Sequence, residues 1–434
     1  MAAKAWAAIL GAVAGLCGTG GAAAYGQSGA EPSELEALRA ELRALRERVE
    51  QLEMRPPSEA EIAATRAKIA ADVASKQPVL RYDPKDGLYL GTPDEAYSIR
   101  PKFALQMRYV ANHDDSRDKT DDGFELRRIK FYASGTVFTK DLTYYIDVGI
   151  SPSTGTMTLV DAFMTYKFAP LWYIRGGQFK NPYAREFYAT DLRIFAVDWS
   201  LVSELIGGHN AGRTKGLQLI YGNNTKDSPW TAHLTLTDGD KQLNTAYDST
   251  VNSNFGAAAR LEYKFFGDWA SYPDQSHIDS PDDLLVLGGG VSYSQGDLTK
   301  YRSTVDVQYE FLERGTLFSA VFLNHTTDSD APSATDGGFN VQLGWLLTRQ
   351  FEPYVRYNIS VFEFDQANGE DKAEEYTIGF NFYPRLGDYI GNNAKFSLDL
   401  SYLPDGSPVK AGNLGIQKGS GEQFMARVQF RFIL

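Results

Sequence analysis

One cysteine, Cys17, occurs in the 434 residues, so paired disulfides are excluded and thiol catalysis has a single candidate. Histidine is also sparse: His113, His209, His233, His277 and His325 are far apart, with no metal-ligand spacing among them. No nucleophile elbow is present, and no glycine-rich phosphate loop runs into a helix. His233 and His325 fall mid-strand or at strand ends beside Thr and Asn, which does not make a Ser–His constellation. An enzyme is therefore not expected. A basic field is absent too: 43 Lys and Arg stand against 55 Asp and Glu, a net charge of −12, so nothing draws nucleic-acid phosphates. After residue 30 there is no apolar run approaching the ~20 residues of a membrane helix. If the chain crosses a membrane, it must do so as a closed barrel, the one other structure that satisfies every backbone group in lipid.

What is present begins with a leader. Lys4, the apolar AWAAILGAVAGLCG and the small-residue GGAAAYGQ read as a secretory signal peptide over residues 1–26, cleaved near Ala24 or Gly26. Cys17 lies inside it, behind Leu16 where a lipidation site needs a small residue, so the mature chain carries no thiol. Residues 31–54, EPSELEALRAELRALRERVEQLEM, place Leu35, Leu38, Leu42, Leu45, Val49 and Leu52 at alternating spacings of three and four. This narrow heptad seam favours a self-associating coiled coil over a helix lying on a domain. It is short enough to depend on oligomerisation elsewhere in the chain. Residues 55–97 read as a second helix and a linker punctuated by Pro56, Pro57 and Pro78.

From residue 98 to 434 the period becomes two. About sixteen alternating segments of some nine to fourteen residues begin near 99, 124, 142, 157, 171, 214, 229, 254, 284, 302, 316, 337, 351, 374, 394 and 421. Tight connections (TKDL, FAPL, ERG, TRQF) alternate with long ones, as in outer-membrane barrels; 267–283 and 384–393 are long on the short side. The aromatic-rich apolar face of nearly every strand, with no second sheet to cover it, selects a membrane barrel over a soluble sandwich. The fold class is all-β: a 16-stranded antiparallel transmembrane β-barrel with an N-terminal α-helical coiled coil.

FELRRIKFYASGTVF (124–138), LVDAFMTYKF (159–168), YIRGGQFKNPYAREF (173–187) and the terminal EQFMARVQFRFIL (422–434) together resemble the phosphate-selective porin O/P family of Gram-negative outer membranes, over residues 87–434. The resemblance implies a trimeric barrel in outer-membrane lipid, a long third loop folded into the pore, and the coiled coil on the periplasmic side. One departure is the terminal Leu434 in place of an aromatic, with Phe432 on the same face.

Strand parity points Lys102, Gln106, Arg108, Arg128, Lys130, Arg427 and Arg431 into the lumen, a basic wall on the last, first and second strands able to bind small anions such as phosphate. Asp306 and Glu310, with Asp147 and Asp161, face them across the lumen. By the same parity Arg127 falls on the lipid side, where an arginine at midplane costs about 2–4 kcal/mol, so it must sit at a rim, an interface or a bulge. The 181–213 stretch is the candidate constriction, with Arg185, Glu186, Asp191 and Arg193 edging the opening. No metal or cofactor is expected. Passive passage of hydrophilic solutes is the leading function; a coil that tethers the membrane to peptidoglycan is the alternative.

Overall fold

The computed structural model describes residues 32–434 except 54–57, 208–211, 241–242, 250–252, 281, 329–331 and 367; the leader lies outside them. Two units are distinguished, residues 1–74 and 75–434. The first holds helix α1 (Pro32–Glu53) and most of α2 (Glu59–Lys76). On α1 the seam residues Leu42, Leu45 and Val49 are exposed, and so are Ile69 and Val73 on α2. Among the described residues no helix is long and apolar enough to cross a membrane.

The second unit opens with a hairpin, β1 (Val79–Asp83) and β2 (Gly87–Gly91), where the sequence suggested only linker. Gly87, at φ 80°, makes its turn. Sixteen strands follow: β3 (Ser98–Asp114), β4 (Lys119–Val137), β5 (Thr139–Ile150), β6 (Met157–Ala169), β7 (Trp172–Lys180), β8 (Arg213–Tyr221), β9 (Trp230–Thr237), β10 (Ser253–Phe266), β11 (Leu284–Gly296), β12 (Leu298–Phe311), β13 (Gly315–Asp328), β14 (Ala334–Trp345), β15 (Phe351–Val361), β16 (Lys372–Phe382), β17 (Ala394–Leu403) and β18 (Gln423–Ile433). Each pairs antiparallel with the next, and β18 pairs with β3 (Ile433 with Ala104 through Gln423 with Asp114), closing the ring. Closure removes every sheet edge that lipid would leave unsatisfied.

Alternation sorts the side chains. Leu217, Leu219, Leu234, Val305, Val321 and Ile378 lie exposed on the outer surface. Aromatic pairs ring both ends of this apolar band. Near the short turns these include Trp172–Tyr221 (5.2 Å between ring centroids), Trp230–Tyr263 (4.2 Å) and Phe396–Phe430 (4.7 Å). Near the long loops they include Tyr109–Phe124 (5.0 Å), Tyr357–Tyr376 (4.9 Å) and Tyr402–Phe424 (4.8 Å). Two aromatic girdles around an apolar belt are the signature of a barrel immersed in lipid.

Connections from both rims fill the inside. Residues 181–207, with the short helices α3 (Arg185–Tyr188) and α4 (Leu201–Leu205), fold into the lumen from the long-loop rim. Their Tyr183, Phe187, Ile194, Trp199, Leu201, Val202 and Ile206 form the main core with Phe318, Phe322, Leu403, Leu414, Ile416 and Met425. From the opposite rim, the over-long 267–283 and 384–393 connections bury Trp269, Tyr272, Asp274, His277, Asn392 and Asn393.

Candidate functional site: the lumen and its infolded loop

The site is built where β3, β4 and the infolded loop meet. Gln106 pairs with Arg128 but Met107 with Leu126, so Arg127 is the extra residue of a β-bulge. That bulge lets two consecutive arginines face the lumen. Arg127 Nε donates to Asp198 Oδ2 at 2.6 Å, Arg128 Nη2 to Asp198 Oδ1 at 2.9 Å, and Arg108 Nη1 to Asp198 Oδ2 at 3.0 Å. Arg128 also lies over the Trp199 ring, 4.6 Å from its centroid. Parity alone had put Arg127 on the lipid side; the bulge turns it inward, and the carboxylate between three guanidiniums makes that position favourable.

Asp191 is the second clamp, 2.8 Å from Lys130 Nζ and 3.2 Å from Arg128 Nε. Lys130 also donates to Asp147 at 3.0 Å. Burial by itself would raise both loop carboxyls. Arg127, Arg128 and Arg108 outweigh it at Asp198, and Lys130 and Arg128 lead the groups that do so at Asp191, so both are held below the usual carboxylate range. A carboxylate with a depressed pKa stabilises the fold above its unfolded pKa of ~3.9 and loses that contribution only as pH falls through its lower folded value. The loop should therefore stay seated between pH 7.5 and 5, with no opening of the kind its release would give; a severalfold rise in single-channel conductance inside that interval would contradict the clamp.

The rest of the basic wall serves the backbone of three inward connections, 404–422, 384–393 and the 181–207 loop. Arg108 Nη2 donates to the carbonyls of Gly412 and Asn413, and Arg427 Nη1 to that of Leu414 (2.9 Å), while Arg427 forks onto Asp399 at 2.8 Å. Arg431 donates to the carbonyls of Leu192 and Asn392. Lys395 reaches the carbonyls of Ile194 and Phe195, Asn381 that of Phe195, Gln429 that of Val197, and Arg356 that of Asp198. A loop drawn out of water must have its carbonyls satisfied, and the long donors of the far wall do this. Lys102 alone of the six wall cations is half-exposed, near the short-turn rim.

Of the residues expected to edge the opening, Arg185 and Glu186 are instead buried within the loop's packing against the wall. Arg185 lies over the Tyr272 ring at 3.9 Å and donates to Gln308; Glu186 accepts from Ser200, Ser203 and Asn340. Burial follows from α3 packing against the wall with its polar groups turned to one another. Arg193 Nη1 donates to both carboxylate oxygens of Asp274 (2.8 and 3.0 Å), joining the loop from one rim to the 267–283 connection from the other. The sequence reading missed Asp198, Asp274 and the inward glycines. Gly290, Gly338 and Gly344 leave room for the Tyr183 carbonyl, Val202 and the Phe195 ring respectively, each where a Cβ would collide.

Two cavities among the described residues open along the β3–β8 wall. A cavity of 390 Å³ is lined by β2–β7 residues including Arg100, Tyr145, Phe163 and Arg175. A second of 200 Å³ is lined by Tyr145, Asp147, Asp161, Phe163, Arg175, Lys180, Asp191 and Arg213, among others. Among the described residues no cluster of three or more His, Cys, Asp or Glu could hold a metal.

No protein-family model matches the chain, and no curated protein sequence matches it. Solved structures do. An anion-selective porin from Comamonas acidovorans aligns with TM-score 0.55 and 11% identity over 78% of this chain and 100% of that one. OmpF of Salmonella typhi gives 0.54 and 14% over 78% and 98%, and the outer membrane channel DcaP of Acinetobacter baumannii 0.53 and 11% over 78% and 98%. The chain has the sixteen-stranded fold of these outer-membrane porins.

Proposed function

We propose that the protein is a passive channel of a Gram-negative outer membrane that carries small hydrophilic solutes and prefers anions. The observation that carries this reading is a closed barrel, belted by lipid-facing side chains, whose polar lumen is narrowed but not filled by an infolded loop. On this reading the short-turn rim, which carries the C-terminus and the β1–β2 hairpin, faces the periplasm, the compartment in which the sequence resemblance puts the N-terminal coil. The exposed Leu42, Leu45 and Val49 support self-association, and with it the trimer that the sequence resemblance implies.

Anion preference rests on cations beyond those committed to the loop, and phosphate is the specific solute that the resemblance suggests. In planar bilayers under a KCl gradient, the protein should show discrete conductance steps and a reversal potential displaced toward chloride. Added inorganic phosphate should reduce the chloride current. A cation-selective potential would remove the anion reading and leave a general diffusion channel.

A further inference from the structure

We infer that permeating anions follow the β4–β8 wall, off the barrel axis, and are held there by Arg175, a residue outside the basic wall. This rests on the channel reading above and names the site within it.

The route follows from where matter is missing. The β13–β18 side of the lumen is occupied by the main core of loop and wall side chains. On the β9–β12 side Arg260 is buried against Asp306 (2.7 Å) and Glu262 (2.7 Å) under Tyr272. The two polar cavities stand on the remaining side and share Tyr145, Phe163 and Arg175, so they meet at one constriction. The lower cavity reaches the short-turn rim at Glu95 and Asn223; the upper reaches Thr190 and Asp191 of the infolded loop.

At that constriction the charges are unequal. Arg213 is paired with Asp161 at 3.1 Å, and Lys180 gives its ammonium to the carbonyls of Phe187 (3.1 Å) and Ala189 (2.7 Å). Asp147 and Asp191 share Lys130. Arg175 has no carboxylate within ion-pair distance among the described residues. Its Nε donates to Thr165 Oγ1 at 3.0 Å, and its guanidinium lies 4.3 Å from the centroid of Phe163, which itself stacks on Tyr145 at 5.3 Å.

The aromatic face and the threonine fix the guanidinium plane without neutralising it, leaving the two Nη groups as a preset fork. Such a fork suits the paired oxygens of a carboxylate or a phosphate, and Thr143 and Ser134 add hydroxyls along the lower cavity. The ligand class is thus a small oxyanion, met at a cation that stays available while the conspicuous arginines of β3, β4 and β18 are committed to carboxylates and to the carbonyls of the inward connections.

The test uses the full-length protein in planar bilayers with inorganic phosphate as the probe. Arg175→Ala should lower the anion-over-cation permeability ratio by roughly threefold or more and abolish phosphate block of chloride current. Arg175→Lys should keep most of the selectivity but weaken the block, since a point charge lacks the fork. Because the mature chain has no cysteine, a single one reports the route, independently of whether Arg175→Ala folds. Thr143→Cys, in the lower cavity, should lose conductance on treatment with a bulky methanethiosulfonate, and Ser401→Cys, on the packed side, should not. An unchanged permeability ratio in a folded Arg175→Ala, or block at Ser401→Cys with none at Thr143→Cys, overturns the inference and leaves the channel standing. Absence of any conductance in the unmodified protein overturns the channel reading itself.

Discussion

Replacing Asp198 with alanine should release the infolded loop and convert a narrow channel into a wide one. The carboxylate is completely buried and is shared by Arg108, Arg127 and Arg128. Removing it leaves three guanidiniums facing one another in a space that excludes water. Breaking one side of a buried ion pair typically costs about 3–5 kcal/mol, and like-charge repulsion adds to that here. The barrel itself should survive, because its hydrogen-bonded ladder closes through β18 and β3 without using Asp198. Single-channel conductance should rise severalfold and the reversal potential should move further toward anions, because Arg127 loses its carboxylate while Arg108 and Arg128 keep only Glu125 and Asp191. Asp198→Asn should do the same more weakly, because it keeps the acceptor oxygen. Wild-type conductance in a folded Asp198→Ala would show that the loop is held without this clamp, by Asp191, the wall donors to its carbonyls and packing.

The second large effect is expected from the wall opposite. Gly338 and Gly344 on β14 face inward, where a Cβ would run into Val202 and the Phe195 ring. Gly337 faces the other way, with Leu323 no nearer than 3.6 Å. The double substitution Gly338→Leu/Gly344→Leu should evict the middle of the loop, since overpacking two contacts at about 1–3 kcal/mol each leaves it no seat. Conductance should then approach that of Asp198→Ala. Gly337→Leu, which adds apolar surface to a lipid-facing position, should leave conductance unchanged. If both β14 variants behave alike, the loop does not rest on these glycines.

Much of this architecture could be read from the sequence because a barrel strand writes its two environments in alternate letters. The sixteen strands follow from that period, but Asp147, expected across the lumen from the basic wall, instead lies beside Lys130 on the neighbouring strand, and Asp161 pairs with Arg213. What escaped is whatever interrupts it. The bulge at Arg127 is one case, though its trace is visible: the outward apolar residues run Phe124, Leu126, then Ile129, Phe131, with one gap of three where two is the rule. The two over-long connections were visible as anomalies, but only the fold shows that they turn inward. The role of the basic wall was least legible. A sequence shows which charges share a face, whereas Asp191 and Asp198 come from a loop some sixty to ninety positions away from most of their partners, and nothing in local spacing announces that meeting. Hairpin β1–β2 was missed because five-residue strands fall below what alternation can distinguish from linker.

The closing seam of the barrel joins the strands furthest apart in the chain, and forming such a long-range pairing is the entropically hardest step of assembly. The infolded loop spans that seam. Arg108 on β3 holds the Asp198 side chain, while Gln429 and Arg431 on β18 hold the carbonyls of Val197 and Leu192. The segment that narrows the passage is therefore also a rivet through the joint. A single stretch of chain sets the bore and locks the ring, so widening the one weakens the other, and drift in pore size is constrained by the need to finish assembly.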